Sequence, residues 1–467
     1  MKWFLGILLL LFAALVLESG LLAFATYTLL GLLLISRVLA RNWIVNLRAR
    51  RTVALRGDKR DANEETWDEN DAVPSEAART THAEIGDRVV VRVTVRNSGT
   101  MPVPWVLLED LLPEQGMKKD ARLKLKGKNL QISMLRPGGE TLVRYQIECL
   151  RRGYYQIGPL VLEGGDLFGL HRRYRVETKP NYLLVYPRIV PLQGYELSSR
   201  RPIGDVRLMH RLYEDPTRIA GVRPYEPGDP LNRVHWRATA RTGILHSKIT
   251  EPSTLTGSTV ILDFHAGGYH ARGEPHRSEL AVTTALSLAN AVYEMGQQVG
   301  LVTNAGDAAD RLRLEDWQNE QQSRTAARGV AAMAEHSNRL QPLVVETRRG
   351  VEQLQRMREL LARVELSQGL TFAQLIDETV TRLPRDATVV AVLPRVSVAT
   401  ALTLGNLRRR GFAVTAVLIL FDDTELEKGY ARLLAEGVKD VRHLNDEAEL
   451  PDLCSKQVQR ATPYQFA

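Results

Sequence analysis

At 467 residues the chain is long enough for two or three domains, each with a sizeable core. Its two cysteines, Cys149 and Cys454, stand far apart and in no CxxC or zinc spacing, so they read as a buried thiol and a tail thiol in a reducing compartment. The net charge of +8 is carried against 54 acids with only 6% aromatics, which excludes a nucleic-acid face of interleaved bases and rings and leaves the cytoplasmic surface of a membrane as the basic-seeking partner.

Residues 3–17 form an unbroken apolar run, Glu18-Ser19-Gly20 interrupts it, and apolar sequence resumes over 21–35. One helix over 3–36 would be about 50 Å long, against about 30 Å of hydrocarbon. Two short spans turning at Ser19-Gly20 fit better, so 1–45 is expected to be a two-span transmembrane hairpin that meets the bilayer through 3–36. Lys2 precedes the first run; Arg37, Arg41, Arg48, Arg50 and Arg51 follow the second, with no basic residue between them. That asymmetry predicts an inner (plasma) membrane protein with its soluble parts facing the cytoplasm. Ala23-Phe24-Ala25 has the form of a cleavage site, but leucine-rich sequence continuing to Ile35 argues against release.

Residues 46–84 are charged and lack apolar periodicity, which predicts a juxtamembrane linker with a first strand near 52–55 and with Arg48, Arg50 and Arg51 on anionic headgroups. From Asp87 the period becomes two: Val89, Val91, Val93 and Val95 alternate with Val90, Arg92, Thr94 and Arg96, a strand with one buried face. Further strands are predicted at 103–110, 130–134, 141–150, 154–162, 174–176 and 183–185, punctuated by Pro137-Gly138-Gly139, Arg152-Gly153 and Gly164-Gly165. Short strands at regular spacing make 85–190 a β-sandwich of immunoglobulin-like shape. Asp166-Leu167-Phe168-Gly169-Leu170 reads as an Asp-stabilised bend with a Phe anchor.

A bridge rich in Pro, Gly and Arg follows, with Arg200, Arg201, Arg207 and Arg211, and the segment 191–257 ends in a strand around Lys248 and Thr250. Within it, 218–248 packs five arginines, a lysine, two histidines and a Trp around the turn Glu226-Pro227-Gly228-Asp229. Asp229 is a candidate N-cap, Pro230 suits a first helical position, and Gly243 can stop the helix, so the pattern predicts a helix over 230–242. Arg233, Arg237 and Arg241 then fall at i, i+4, i+8 along one side. Aligned guanidinium groups bind carboxylates or phosphates. They serve equally as a clasp on the chain's own carboxylates, pinning one domain to the next, or as a solvated face; Trp236 and His235 favour a partly buried setting.

The run from Arg223 and Tyr225 through Gly228, Asp229, Arg233, Trp236, Arg237 and Arg241 to Gly243-Ile244-Leu245 resembles the signature of the domain of unknown function 58 family, bacterial and archaeal proteins that are usually membrane-anchored. The resemblance implies a β-rich domain before the signature and a von Willebrand factor A-like domain after it. It also implies protein partners: a MoxR-type AAA+ ATPase and a transglutaminase-like membrane protein.

Over 258–450 strands and helices alternate: strands at 259–264, 298–303, 388–393, 414–421 and 441–444, helices at 278–295, 348–364, 371–383 with Thr371 as N-cap, 398–410 stopped by Gly411, and 424–436 stopped by Gly437. Repeated βα units predict a doubly wound, mostly parallel sheet with helices on both faces. The fold class is thus α/β plus all-β behind a helical membrane hairpin. Residues 304–340 break the rhythm as an insertion outside the sheet, partly helical or a partner-binding arm, and 451–467 is a tail.

A von Willebrand A domain holds Mg²⁺ through Asp-x-Ser-x-Ser after its first strand; here the loop reads Asp263-Phe264-His265-Ala266-Gly267, with both serines gone. Asp263 is expected to cap loop amides instead, and no metal is expected. His265, His270 and His276 fit no zinc spacing. No phosphate loop, dinucleotide fingerprint or nucleophile elbow is present, so neither cofactor nor catalytic residue is indicated. The expectation is a non-enzymatic assembly or adaptor protein; the alternative is an enzyme or anion-binding regulator using 218–248, in cell-envelope metabolism.

Overall fold

The computed structural model describes residues 20–57, 80–113, 122–166, 171–193, 214–226, 234–252, 257–312, 320–321, 323–334, 337–384, 387–419 and 423–454. The chain divides into two compact units: 1–188 with 307–338 and 359–364, and 189–306 with 339–358 and 365–467. The units are not contiguous in sequence. Most of the insertion expected between strands of the second unit, and a short piece near 360, belong with the first.

The first unit begins with helix Gly20–Val45, whose 26 residues span about 39 Å and are apolar enough to cross a membrane. It runs ten residues past the expected end of the second span at Ile35; the first expected span, 3–17, lies outside the described residues. The strands that follow are β1 (Leu47–Leu55), β2 (Thr80–Glu84), β3 (Arg88–Asn97), β4 (Val103–Asp110), β5 (Leu123–Gly127), β6 (Leu130–Leu135), β7 (Glu140–Cys149), β8 (Gly153–Ile157), β9 (Leu160–Gly165), β10 (Arg172–Val176) and β11 (Asn181–Tyr186). One antiparallel sheet is ordered β1-β3-β7-β5; a second runs β10-β9-β4-β6, extended beyond β10 by Glu320–Gln321; a third is β2-β11-β8. The alternating valines of β3 meet Val106, Leu108, Leu160, Leu162, Leu183 and Val185 in a common core with Tyr145 and Cys149. Each such side chain contributes about 1.5–3 kcal/mol by leaving water.

Three expectations fail in instructive ways. The stretch 46–57 is not linker: β1 starts at Leu47, one residue after the helix, and pairs with β3 from Leu47↔Asn97 to Leu55↔Val89. Residues 58–79 lie outside the described set. Arg51 is not on a headgroup either. Its side chain, 1% exposed, is paired with the fully buried Asp110 of β4, and so ties the first sheet to the second. The expected strand 154–162 is two strands, because Gly158 takes φ +84 and Pro159 has no N–H to give to a ladder.

The inserted helix Arg324–Ala331 lies on the second sheet. Arg324 and Arg328 both pair with Glu109 of β4, and Ala327 packs with Val161 and Val176. On helix Gly20–Val45, Ser36 donates to Asp166 (2.7 Å), whose other oxygen accepts the His171 N–H (2.8 Å). Of the expected Asp-stabilised bend with its Phe anchor, residues 167–170 lie outside the described residues.

The second unit carries β12 (Glu214–Pro224), β13 (His246–Pro252), β14 (Gly257–Leu262), β15 (Gln298–Thr303), β16 (Leu343–Arg348), β17 (Ala387–Leu393), β18 (Val414–Leu418) and β19 (Asp440–His443). Its main sheet is ordered β16-β15-β14-β17-β18-β19, parallel except for the edge strand β16. That strand fell partly inside the expected helix 348–364, which instead begins at Val351. Helix His276–Glu294 covers one face. Phe372–Thr379, Val398–Arg409 and Asp423–Ala435 cover the other through Ile261, Val389, Ala391 and Ala416. Thr371 forms a capping box with Gln374, as the sequence predicts.

Candidate functional site

The chain leaves β14 on one side toward β15 and returns as β17 on the other, so the carboxyl ends of β14 and β17 form the topological switch point where open α/β sheets bind ligands. Asp263 stands there, 6% exposed. Its Oδ1 accepts from Asn304 Nδ2 (2.9 Å) and more weakly from the His265 N–H (3.3 Å), and its backbone oxygen accepts from the Tyr269 hydroxyl (2.9 Å). Asn304 also accepts the Phe264 N–H (2.6 Å) and donates to Leu370 O (2.9 Å). Through these bonds the asparagine knits three loops together. The amide contact made by Asp263 is the capping role expected of it, and no group of three His, Cys, Asp or Glu able to hold a metal occurs among the described residues.

Burial pushes the Asp263 carboxyl above its ordinary value, and the Asn304 hydrogen bond pulls it back only in part. A raised carboxyl binds its proton more tightly in the native state, so stability falls as pH rises above the ordinary carboxylate range. Asp263→Asn is expected to match or exceed the native stability at neutral pH, with the gain vanishing below that range. Denaturant midpoints measured across pH check it.

The signature stretch is a hairpin. β12 and β13 pair antiparallel with Arg223↔Ser247 and Pro224↔His246, and Tyr225 donates to Leu245 O (2.8 Å). Its base is fixed by buried Val234 bridging Ser247. The helix is shorter than expected. It covers Trp236–Thr242, with His235 as N-cap accepting the Ala238 N–H through Nδ1, and it ends on Gly243 at φ 75. Asp229 therefore does not cap it. Val234 lies in a strand-like bridge just before it, so of the three arginines Arg237 and Arg241 are the ones placed on the described helix. Gly228, Asp229 and Arg233 themselves lie outside the described residues.

Of the expected side chains, Arg223 pairs locally with Glu226 (3.1 Å) and Tyr225 is half-buried. Arg237 and Arg241, one turn apart, are exposed, and neither has a carboxylate or carbonyl partner among the described residues. Among the described residues, no contact of these two side chains represents the expected clasp. Trp236 is not partly buried but 69% exposed, because no residue of this short helix is buried. Ile244 and Leu245, which the sequence argument passed over, are exposed as well. The hairpin tip presents an indole, two aliphatic side chains and two guanidinium groups on a base whose hydrogen bonds are satisfied. The missed signal was Gly-Ile-Leu: two aliphatic residues just past a helix stop, with no apolar period to bury them.

These features define a two-unit protein: a β-sheet unit entered by an apolar helix, and an open, mostly parallel α/β unit with a projecting basic–aromatic hairpin. Residues 221–389 match the family described as "Protein of unknown function DUF58". An "Uncharacterized protein YeaD" of Bacillus subtilis (strain 168) is 25% identical over 224 residues, 48% of this chain and 53% of the relative. The chain thus aligns with about half the length of the curated relative it matches. Among solved structures, the ASH/PapD-like domain of human CEP192 is 19% identical over 23% of this chain and 79% of that one, with a TM-score of 0.17. Proximal thread matrix protein 1 from the mussel byssus is 13% identical over 43% of this chain and 46% of that one, with a TM-score of 0.27. Overlaps this slight define neither fold nor function.

Proposed function

We propose that the chain is a membrane-anchored, non-enzymatic assembly or adaptor protein of the inner membrane. In this proposal the soluble body faces the cytoplasm, with an immunoglobulin-like sandwich next to the bilayer and a von Willebrand factor A-like unit that binds proteins. The partner class is a MoxR-type AAA+ ATPase, with a transglutaminase-like membrane protein as a second. The observation that carries the reading is the exposed Trp236–Ile244–Leu245 cluster beside Arg237 and Arg241. Trp and Arg are the residues that dominate binding at protein interfaces, and an exposed Trp on an otherwise satisfied hairpin has no folding role to explain it.

The test is crosslinking and pull-down of the detergent-solubilised full-length protein. Trp236→Ala is expected to change stability by no more than about 0.5 kcal/mol while reducing capture of the ATPase by tenfold or more. Unchanged capture removes this surface from the reading.

A second reading rests on the unpartnered guanidinium groups at i, i+4: an enzyme or anion-binding regulator acting in cell-envelope metabolism. Under it, the Arg237→Ala/Arg241→Ala double variant loses binding of inorganic diphosphate with unchanged melting temperature, and Trp236→Ala leaves that binding intact. Cytoplasmic placement is tested by protease protection of inside-out and right-side-out vesicles.

A further inference from the structure

The free edge of the second sheet is a separate surface. β6 is hydrogen-bonded to β4 and is the end strand of its sheet. Every second N–H and C=O of an end strand points away from the sheet, an open template for another strand. On the outer side of β6 stand Leu130, Ile132 and Met134, exposed by 41%, 70% and 69%, and Ile132 adjoins half-buried Leu107 of β4. The sequence Leu-Gln-Ile-Ser-Met-Leu holds no charge and no proline.

The other ends of the two larger sheets are guarded. β1 carries Arg48 and Arg50, β5 carries Lys124 and Lys126, and β10 is capped by Glu320–Gln321. Charges and covering segments are how edges avoid pairing with other chains; among the described residues β6 alone of these four has neither. The strand is also held ready for docking. On its inner side Gln131 and Ser133 hydrogen-bond Thr141 of β7 (3.3 and 3.1 Å), which fixes its register before anything binds.

Charge selects the occupant. Lys128 and Arg136 flank β6, both exposed and without a side-chain partner among the described residues. A second copy pairing antiparallel about Ile132 would match Leu130 with Met134 but set Lys128 against Arg136 at both ends. Like charges directly opposite disfavour that pairing. We infer that β6 is the docking edge for an extended segment of a protein partner, with alternating apolar residues and acidic flanks, added to this sheet as a further strand. Main-chain hydrogen bonds supply affinity, and the row Leu130–Ile132–Met134 reads the alternate side chains. This inference does not depend on the hairpin surface.

The probe is a fluorescein-labelled peptide, Glu-Asp-Val-Thr-Ile-Thr-Val-Asp-Glu, titrated by anisotropy into the full-length protein in nanodiscs. Saturable binding is expected, with new hydrogen-exchange protection of amides in 130–135. Ile132→Lys, a change at an exposed position, is expected to weaken binding at least tenfold. Lys128→Glu/Arg136→Glu is expected to reverse the preference toward a lysine-flanked peptide of the same core, and Trp236→Ala to leave binding unchanged. The inference is overturned if wild-type protein shows no binding up to about 1 mM peptide, if Ile132→Lys binds as well, or if protection appears elsewhere. Concentration-dependent dimerisation abolished by Ile132→Lys overturns the foreign-strand assignment in favour of a second copy.

Discussion

Asp110→Ala is expected to destabilise the first unit by about 3–5 kcal/mol, the cost of leaving a buried charge without its partner. Asp110 is fully buried and accepts from Arg51 Nε (3.1 Å) and Nη2 and from the Tyr145 hydroxyl (2.6 Å). Burial, and then the Asp110 charge, hold the Tyr145 hydroxyl well above its ordinary pKa, so it is a donor to Asp110 at neutral pH. Losing the carboxylate strands both groups inside the core. The variant should show accelerated hydrogen exchange throughout β3 and β7 and a lower urea midpoint for this unit. Combining Asp110→Leu with Arg51→Met and Tyr145→Phe removes all three polar groups together and should recover most of the loss. If the single and triple variants are equally unstable, packing rather than charge is responsible.

Arg175→Met is expected to cost about 3 kcal/mol, concentrated where helix Gly20–Val45 enters the β-sheet unit. Arg175 is 8% exposed. It donates to Ile44 O (3.2 Å) and Val45 O (2.7 Å), two of the carbonyls a helix end leaves without partners, and pairs with Glu177 (2.9 Å). Burial already pushes the Glu177 carboxyl up, against the pull of Arg175 and Arg48. Without Arg175 it rises further, the native state holds that proton more tightly, and stability then falls as pH climbs above the ordinary carboxylate range. The gap between variant and wild type should therefore be widest at neutral pH and narrow in acid. Hydrogen exchange of 43–48 and protease nicking between the helix and β1 read it out; protection unchanged at neutral pH would refute the capping role.

Strand and helix periods carried much of the architecture. The valines of β3, the bounds of β4 and β15, and the Thr371 cap were all legible, because each is a local pattern with a local cause. What escaped depended on distant partners. β1 was obscured because Arg48, Arg50 and Arg51 form a basic cluster beside an apolar helix, and only Asp110, 59 residues on, makes Arg51 a core residue. β12 contains Pro216 and lacks alternation, so only its pairing with β13 makes it a strand. The insertion was visible as a break in rhythm, but its docking on Glu109 spans more than 200 residues. In the signature stretch the motif was plain and its exposure was not. An indole on a seven-residue helix is buried only if something packs on it, and that is a fact of three dimensions.

Between Val45 and Leu47 there is a single residue, Asn46. Ser36 is tethered to Asp166, Trp43 is sunk in the core of the β-sheet unit, and the last carbonyls are gripped by Arg175. A shaft keyed to its hub at three places cannot turn freely. Any tilt or axial slip imposed on the helix reaches β1 and β3 as torque, with no slack length of chain to absorb it.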